Sequence, residues 1–187
     1  MIINTTQNPQ QNSNLILQTT APRPIAWIVT QSQEGIVNIA PYSLFTPLSF
    51  ETPRVIVSFR AKEDGAIKDT LRNIRESKKC TICMVTTKDK EIMHQTSEEL
   101  YYNVSESEKF QIATHSMVEG YPPVIGSSPI AYFCDFDQEI ELEGESAIPL
   151  ILRINEIFVE DKIITKSDSL RIKFDALGHI VADRYTH

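Results

Sequence analysis

Residues 22–47 constrain the fold most strongly, because they combine a strand, a turn and a loop of unusual composition. Ile25, Trp27 and Val29 alternate with smaller neighbours, which predicts a β-strand. The segment QSQEG forms the predicted turn, and residues 36–40 begin the returning strand. The loop that follows, PYSLF, mixes a proline, hydroxyl groups and aromatic rings, and such a loop can receive a flat aromatic ligand. The alternative is a β-hairpin with a proline-rimmed loop that binds nothing.

The rest of the chain predicts a mainly β fold of the α+β type. Short apolar and β-branched runs predict strands, and a few periodic segments predict short helices. Because the strands do not alternate with long helices, an antiparallel barrel with inserted helices is favoured over a doubly wound parallel sheet. The further predicted strands are residues 54–60, 79–86, 130–136, 149–159 and 163–165; the predicted helices are residues 66–77, 90–100 and a short one that starts near Ser105 and Glu108.

The composition predicts one domain of ordinary globular type. The chain has 187 residues, of which 41% are hydrophobic and 23% charged. A net charge of −7 argues against nucleic-acid binding, which needs a basic face. Three cysteines give no disulfide framework and favour a reducing, cytoplasmic setting. No apolar run is long enough to span a membrane.

The start of the chain differs from the rest. Residues 1–14 are rich in Asn, Gln and Thr and lack the apolar run of a signal peptide. They are predicted to be a flexible N-terminal arm, with an arm that packs on a partner subunit as the alternative. Residues 15–17 predict a first strand or turn, and residues 15–187 are expected to form the single domain.

Several segments resemble, in order, the flavin reductase-like, FMN-binding split-barrel family. The resemblance covers roughly residue 15 to the end, and it implies an antiparallel Greek-key split β-barrel. It also implies a homodimer with FMN near the subunit interface, NADH or NADPH as a transient electron donor, and an electron-acceptor protein as a further partner. The matching segments are PRPIAWIVT followed by GIVNIAPYSLF, then TPRVIVSF, KDTLRNI, MHQTS, SPIAYFCDF and a late GH…DRY.

A flavin phosphate would need cations, hydroxyl groups and free N–H groups. Lys68 and Thr70 lie at a predicted helix start, where the helix dipole favours an anion, and Arg60 follows the preceding strand. Asp69 is predicted as the N-cap residue and Thr70 as the first helical residue, with a start a few residues earlier as the alternative. The resemblance places the KDT segment beside the phosphate. The alternative is a capped surface helix with solvated cations.

The flavin ring would need a flat slot with hydrogen-bonding groups at its polar edge. The loop after the first hairpin supplies them, with Ser43 and nearby N–H groups serving the N5 and O4 edge. By resemblance, Arg23 and Pro24 also lie near the flavin, where Arg23 meets either the pyrimidine edge or the phosphate. Asn38 either joins the site or holds the loop, and Trp27 is expected in the core. The predicted cofactor-binding residues are Arg23, Pro24, Asn38, Pro41, Tyr42, Ser43, Leu44, Arg60, Lys68 and Thr70.

The C-terminal segment resembles the part of related reductases that approaches the flavin or the nicotinamide. It makes His179 and Tyr185 the candidates for the nicotinamide side. The alternative is a surface turn followed by a closing strand.

No metal site is predicted. Cys80 and Cys83 have C-x-x-C spacing, but within a strand their side chains point to opposite faces, so both are expected in the core. The histidines show no repeated ligand spacing.

The resemblance implies an FMN-binding oxidoreductase, an NAD(P)H-dependent flavin reductase that passes electrons to a flavin or a partner acceptor. No catalytic residue is assigned. The alternatives are a flavin carrier without catalysis and a split-barrel interaction module without flavin.

Overall fold

The computed structural model describes residues 2–7, 9–62, 64–166, 170–182 and 184–186. The helices are α1 (Pro9–Thr19), α2 (Asp69–Ser77), α3 (Lys90–Gln95) and α4 (Glu106–Lys109). The strands are β1 (Arg23–Pro24), β2 (Ala26–Gln31), β3 (Val37–Tyr42), β4 (Phe45–Ser49), β5 (Arg54–Phe59), β6 (Lys79–Met84), β7 (Thr114–His115), β8 (Val124–Ile125), β9 (Ile130–Glu139), β10 (Ile148–Val159), β11 (Ile164–Lys166), β12 (Arg171–Ile172), β13 (Gly178–Val181) and β14 (Arg184–Tyr185).

A seven-stranded antiparallel sheet, in the order β3-β2-β6-β9-β10-β5-β4, dominates the fold. Its two edge strands, β3 and β4, are joined only by Ser43 and Leu44. Because a link of two residues spans at most about 10 Å, the sheet must curl until its edges meet. We call residues 41–45, where the edges meet, the seam. The curled antiparallel sheet confirms the predicted split-barrel fold class.

Prolines mark both edges of this sheet. Pro41 and Tyr42, predicted as loop, end β3, and Pro47 lies within β4. Proline has no N–H to donate to a neighbouring strand and is tolerated at sheet edges. The prolines therefore indicate edge strands, and the predicted loop shrinks to Ser43 and Leu44.

Both faces of the sheet carry apolar clusters. The first cluster draws side chains from β2, β4, β5, β6, β9 and β10 and from α2, with Phe59 fully buried. The second lies on the opposite face, and the fully buried Trp27 is part of it, which confirms its predicted core position. Cys80 belongs to the first cluster and Cys83 to the second, as the period of a strand requires. Burying one such large apolar side chain contributes about 1.5–3 kcal/mol.

Helix α1 corrects one expectation about the start of the chain. Residues 15–17, predicted as a strand or turn, lie within this helix. Three consecutive apolar residues are too few for periodicity to separate the two structures. The flexibility of residues 1–14 and the domain division stay predictions. No helix among the described residues is both long and apolar enough to cross a membrane.

Candidate functional site

A cavity of about 520 Å³ opens at the seam, within the size range of small-molecule sites. Its walls are the seam, the start of α2, one face of α1, β13 and the segment after α3. Pro24 is not part of the wall; it pairs with Gly178 between β1 and β13. The predicted site residues in the wall are Arg23, Asn38, Pro41, Tyr42, Ser43, Leu44, Arg60, Lys68, Thr70 and His179.

Helix α2 begins at the cavity without a side-chain cap. Lys68 is its N-cap residue, with extended backbone angles of −64° and 143°, and Asp69 is the first helical residue. The prediction of Asp69 as N-cap and Thr70 as first residue is therefore wrong by one position. The Asp69 carboxylate instead accepts a hydrogen bond from Lys62 Nζ at 2.9 Å. The N–H groups of the first turn have no intrahelical acceptor, so this end of the cavity favours an anion.

Three cations surround this helix end. Lys62 forms an ion pair with Asp69, and Lys68 forms one with Glu99, which also lines the cavity. Arg60 is exposed and makes no hydrogen bond or ion pair with any described residue. Partly exposed ion pairs stabilise a fold by only about 0–1 kcal/mol. Lys68 can therefore exchange Glu99 for a ligand anion at small cost.

A buried polar network supports the same wall. Asn38 Nδ2 donates to Thr70 Oγ1 at 2.8 Å and to Thr30 Oγ1 at 3.3 Å. Asn73 Nδ2 donates to the same Thr30 oxygen at 3.0 Å. The network ties β2 and β3 to α2. Asn38, for which two roles were open, thus lines the cavity and also positions the start of α2.

Tyr42 ends β3 on the floor of the seam. Its ring packs on Phe59 with 4.7 Å between ring centroids, so edge strand β3 contacts β5, the neighbour of the other edge strand. Burial raises the pKa of Tyr42 well above its usual range, and a hydrogen bond with Thr70 opposes that shift only in part. Tyr42 is therefore a neutral phenol at the cavity.

Arg23 is a buried cation without an acidic partner. Its side chain is 5% exposed, and no described carboxylate pairs with it. Its Nη1 donates to the carbonyl oxygens of Leu17 and, at 2.9 Å, of Thr20, which lie at the end of α1. The negative end of the helix dipole thus stabilises the guanidinium in part. Burial lowers the pKa of Arg23, and the positive charge remains available to an anionic group in the cavity.

His179 connects β13 to the seam. Its Nε2 lies 2.9 Å from the carbonyl oxygen of Ala182, so this nitrogen carries the proton. Nδ1 is then an acceptor for Arg23 Nη2 at 3.2 Å and for the Ser43 hydroxyl at 2.9 Å. Burial, followed by the charges of Arg23 and of His94, lowers the pKa of His179 below its ordinary 6.5. The ring is neutral at pH 7, and it fixes the Ser43 hydroxyl.

A second cavity of about 170 Å³ adjoins the first. The two cavities share Pro41, Ser43, Ser97 and His179 in their walls. Tyr185 lines the smaller one and stacks on His179, with ring centroids 5.1 Å apart. The structure therefore brings His179 and Tyr185 together beside the seam.

Glu106 is a cavity residue that the sequence analysis missed. It is 5% exposed, and its Oε2 accepts a hydrogen bond from the Ile39 N–H at 2.9 Å. Burial raises its pKa. The short helix predicted to start near Ser105 is α4, but the Ser105 hydroxyl donates to Val37 O instead of capping the helix. Since Ile39 lies 67 residues away, no local pattern signals the role of Glu106.

The comparisons with known proteins agree with this geometry. The sequence model described as the flavin reductase like domain matches residues 19–167. The chain belongs to the flavin reductase-like family. This confirms the resemblance given by the sequence motifs.

Relatives of this flavin reductase-like chain cover most of its length. An uncharacterised protein of Aquifex aeolicus is 27% identical over 160 residues, which cover 84% of the chain and 82% of that relative. The structure of nitrilotriacetate monooxygenase component B from Bacillus cereus matches with a TM-score of 0.91 at 25% identity, covering 100% of this chain and 94% of that one. The FMN-binding protein of Thermus thermophilus shares the fold, with a TM-score of 0.75 at 17% identity over 90% and 88% of the two chains.

The cavity of this flavin reductase-like chain also contains residues outside its family motifs. Lys62 lies in the turn between β5 and α2, and Ser13, Ile16 and Leu17 come from α1; none of the four had a predicted role. Contact between a helix face and strands far along the chain leaves no local pattern in a single sequence. Within the described residues, no cluster of three His, Cys, Asp or Glu side chains is arranged to hold a metal ion.

Proposed function

We propose that this protein is an FMN-binding oxidoreductase that takes electrons from NADH or NADPH and passes them to a flavin or a partner acceptor. The observation that carries the proposal is the buried Arg23, which lies in the wall of a cavity large enough for a flavin and pairs with none of the carboxylates that the structure describes. A buried cation without an acidic partner favours an anionic ligand. Family membership supports a flavin as that ligand.

The residues present fit FMN at both of its polar ends. The uncapped start of α2, Arg60 and Lys68 offer N–H groups and cations to a phosphate. The Ser43 hydroxyl, the seam backbone and Arg23 offer hydrogen bonds to the polar edge of the ring. When bound, FMN accepts two electrons from a nicotinamide and releases them to the acceptor.

The chain itself orients the reactants. His179 holds Ser43 in one orientation, because its Nδ1 accepts while its Nε2 donates to Ala182. The smaller cavity beside His179 and Tyr185 is the place we assign to the nicotinamide. Its proximity to the seam would bring the nicotinamide to the face of the flavin ring.

The deciding experiment is an absorbance spectrum of the protein loaded with FMN, recorded before and after NADH and then NADPH are added without oxygen. Bleaching of the flavin bands by a pyridine nucleotide is expected. Bands that persist with both nucleotides would favour the carrier alternative. A folded protein that does not bind FMN would contradict the flavin proposal. The remaining alternative would then be a split-barrel interaction module without flavin.

Arg23→Gln tests the observation behind the proposal. Loss of a charged hydrogen-bond donor should weaken FMN binding by about tenfold or more. Trp27, whose Nε1 is hydrogen-bonded to the wall residue Thr96, provides the fluorescence signal for the titration. Arg171→Gln, at an exposed position outside the cavity, is the matched control. Equal FMN affinity of both variants would contradict the role of Arg23.

A further inference from the structure

The cavity wall includes two elements that lie mostly or wholly outside the matched family region. That region covers residues 19–167, whereas α1 spans Pro9–Thr19 and β13 spans Gly178–Val181. Ser13, Ile16 and Leu17 of α1 and His179 of β13 all line the cavity. We call these four residues the cap.

The cap is one connected unit. Ser13, Ile16 and Leu17 are spaced i, i+3 and i+4, so they share one face of α1. Arg23 holds this helix through the carbonyl oxygens of Leu17 and Thr20, and the same guanidinium contacts His179 Nδ1. Any molecule that fills the cavity beside His179 therefore also meets the face of α1.

The chemistry of the cap is apolar and uncharged on its helical side. Residues 1–22 contain no charged residue. Ile16 is 58% exposed although it is a large apolar side chain, and it lines the cavity. Apart from Arg23, which joins α1 to His179, the charged groups of the cavity lie on other walls, at Arg60, Lys62 and Lys68 and at the acidic residues beside them.

We propose that the cap selects the electron acceptor, and that it favours a flat, uncharged aromatic molecule of the quinone class. This inference rests on the proposed function, since the bound flavin supplies the electrons. In the reaction the reduced cofactor loses two electrons and two protons, and the quinone gains them to become a hydroquinone. Ile16 and Leu17 cover the apolar face of the quinone, and the neutral His179 borders its edge.

The test replaces Ile16 by aspartate. Because Ile16 is largely exposed, Ile16→Asp should fold, and it places a charge against the apolar ring. Gln18→Asp is the matched control: it adds the same charge to the same helix, two residues away and outside the cavity wall. FMN-loaded proteins are reduced with dithionite without oxygen and mixed with menadione, a neutral naphthoquinone, or with ferricyanide, a compact anion.

We expect Ile16→Asp to weaken the apparent affinity for menadione by about tenfold or more. Both variants are compared at saturating FMN, so that a change in FMN affinity does not enter the comparison, and the rate with ferricyanide should change no more than in Gln18→Asp. An equal loss with both acceptors, or no loss with menadione, would overturn the role of the cap.

A calorimetric titration with menadione adds a readout that does not depend on turnover. A wild-type protein that fails to bind FMN would contradict the proposed function. The titration of that protein and its two variants would still test whether the cap binds menadione. Ile16→Asp should bind menadione more weakly than Gln18→Asp, and equal binding would contradict the role of the cap.

Discussion

The carboxyl group of Glu106 lies in a place where its charge is costly. Its Oε2 accepts one hydrogen bond from the Ile39 N–H, and burial raises its pKa above its ordinary 4.5. An acid whose pKa is raised in the folded state binds protons more tightly there than in the unfolded chain. Its contribution to stability is therefore present below about pH 4.5 and is lost as the pH rises through the folded pKa.

We expect Glu106→Gln to stabilise the protein at pH 8. The amide oxygen still accepts from Ile39, and the buried charge is gone. The melting temperature at pH 8 should rise by about 2–4 °C, with a smaller gain at pH 5, as measured by thermal unfolding. Glu141→Gln, at an exposed position, is the control for the change in net charge. A gain that is the same at both pH values would refute this account.

Thr96 links the core to the cavity. Its Oγ1 accepts the hydrogen bond of Trp27 Nε1 at 2.9 Å and donates to Met93 O at 2.7 Å. Thr96→Val leaves the buried indole N–H without an acceptor, which should cost about 1–3 kcal/mol of unfolding free energy. Denaturant unfolding measures this loss of free energy, with Thr46→Val, at an exposed position, as the control. Equal stability of the two variants would show that the indole finds another acceptor.

At the scale of elements, strands β13 and β14 hold the His179 side of the site. Gly178 pairs with Pro24 of β1, and an added Cβ would lie 3.0 Å from Pro22 Cβ and 3.1 Å from Thr186 Cγ2. These contacts are tighter than ordinary van der Waals contacts, so we expect β13 and its neighbours to shift by a few tenths of an ångström. The hydrogen bond between His179 and Ser43 would then lengthen.

Gly178→Ala should therefore lower the unfolding free energy by about 1–3 kcal/mol and also weaken FMN binding. Gly126→Ala is a matched control, because its added Cβ would lie 2.9 Å from His115 Nε2, outside both described cavities. Unfolding and FMN titrations of both variants separate general strain from displacement of β13. Equal losses of FMN affinity would mean that β13 does not position the site.

The pH dependence of this element has a definite sign. The pKa of His179 is lowered in the folded protein, so the unfolded chain binds the proton more tightly. The neutral ring stabilises the fold above about pH 6.5, and that contribution is lost as the pH falls through the folded pKa. We expect the melting temperature to fall between pH 7.5 and 5.5, and His179→Gln to reduce that fall. The same pH dependence in both proteins would assign it to other groups.

At the scale of the whole molecule, the homodimer implied by the family resemblance stays a prediction. Large apolar side chains are exposed at Phe50 (80%) and Tyr101 (84%), and such groups are common at interfaces. We expect light scattering on a sizing column to give twice the mass of the chain. A monomer at concentrations where FMN binds would show that the site is complete within one chain.

The sequence was sufficient for the parts of the fold that depend on local pattern or on family motifs. Trp27 and the opposed Cys80 and Cys83 lie where they were expected, because the period of a strand specifies them, and the loop predicted at the seam is confirmed only at Ser43 and Leu44. Other features depend on contacts between distant segments. The start of α2 shifted because Asp69 pairs with Lys62 instead of capping, and Glu106 and the α1 face reach the cavity only through tertiary packing. No local pattern could have shown these.

The position of the seam also couples ligand binding to the opening and closing of the sheet edges. Residues 43 and 44 join the two edges of the sheet, and they are also walls of the cavity. A molecule seated there contacts the end of β3 and the link that leads into β4, so it should restrain the opening of both strand ends. Amide hydrogen exchange at the end of β3 and the start of β4 should therefore slow when FMN binds.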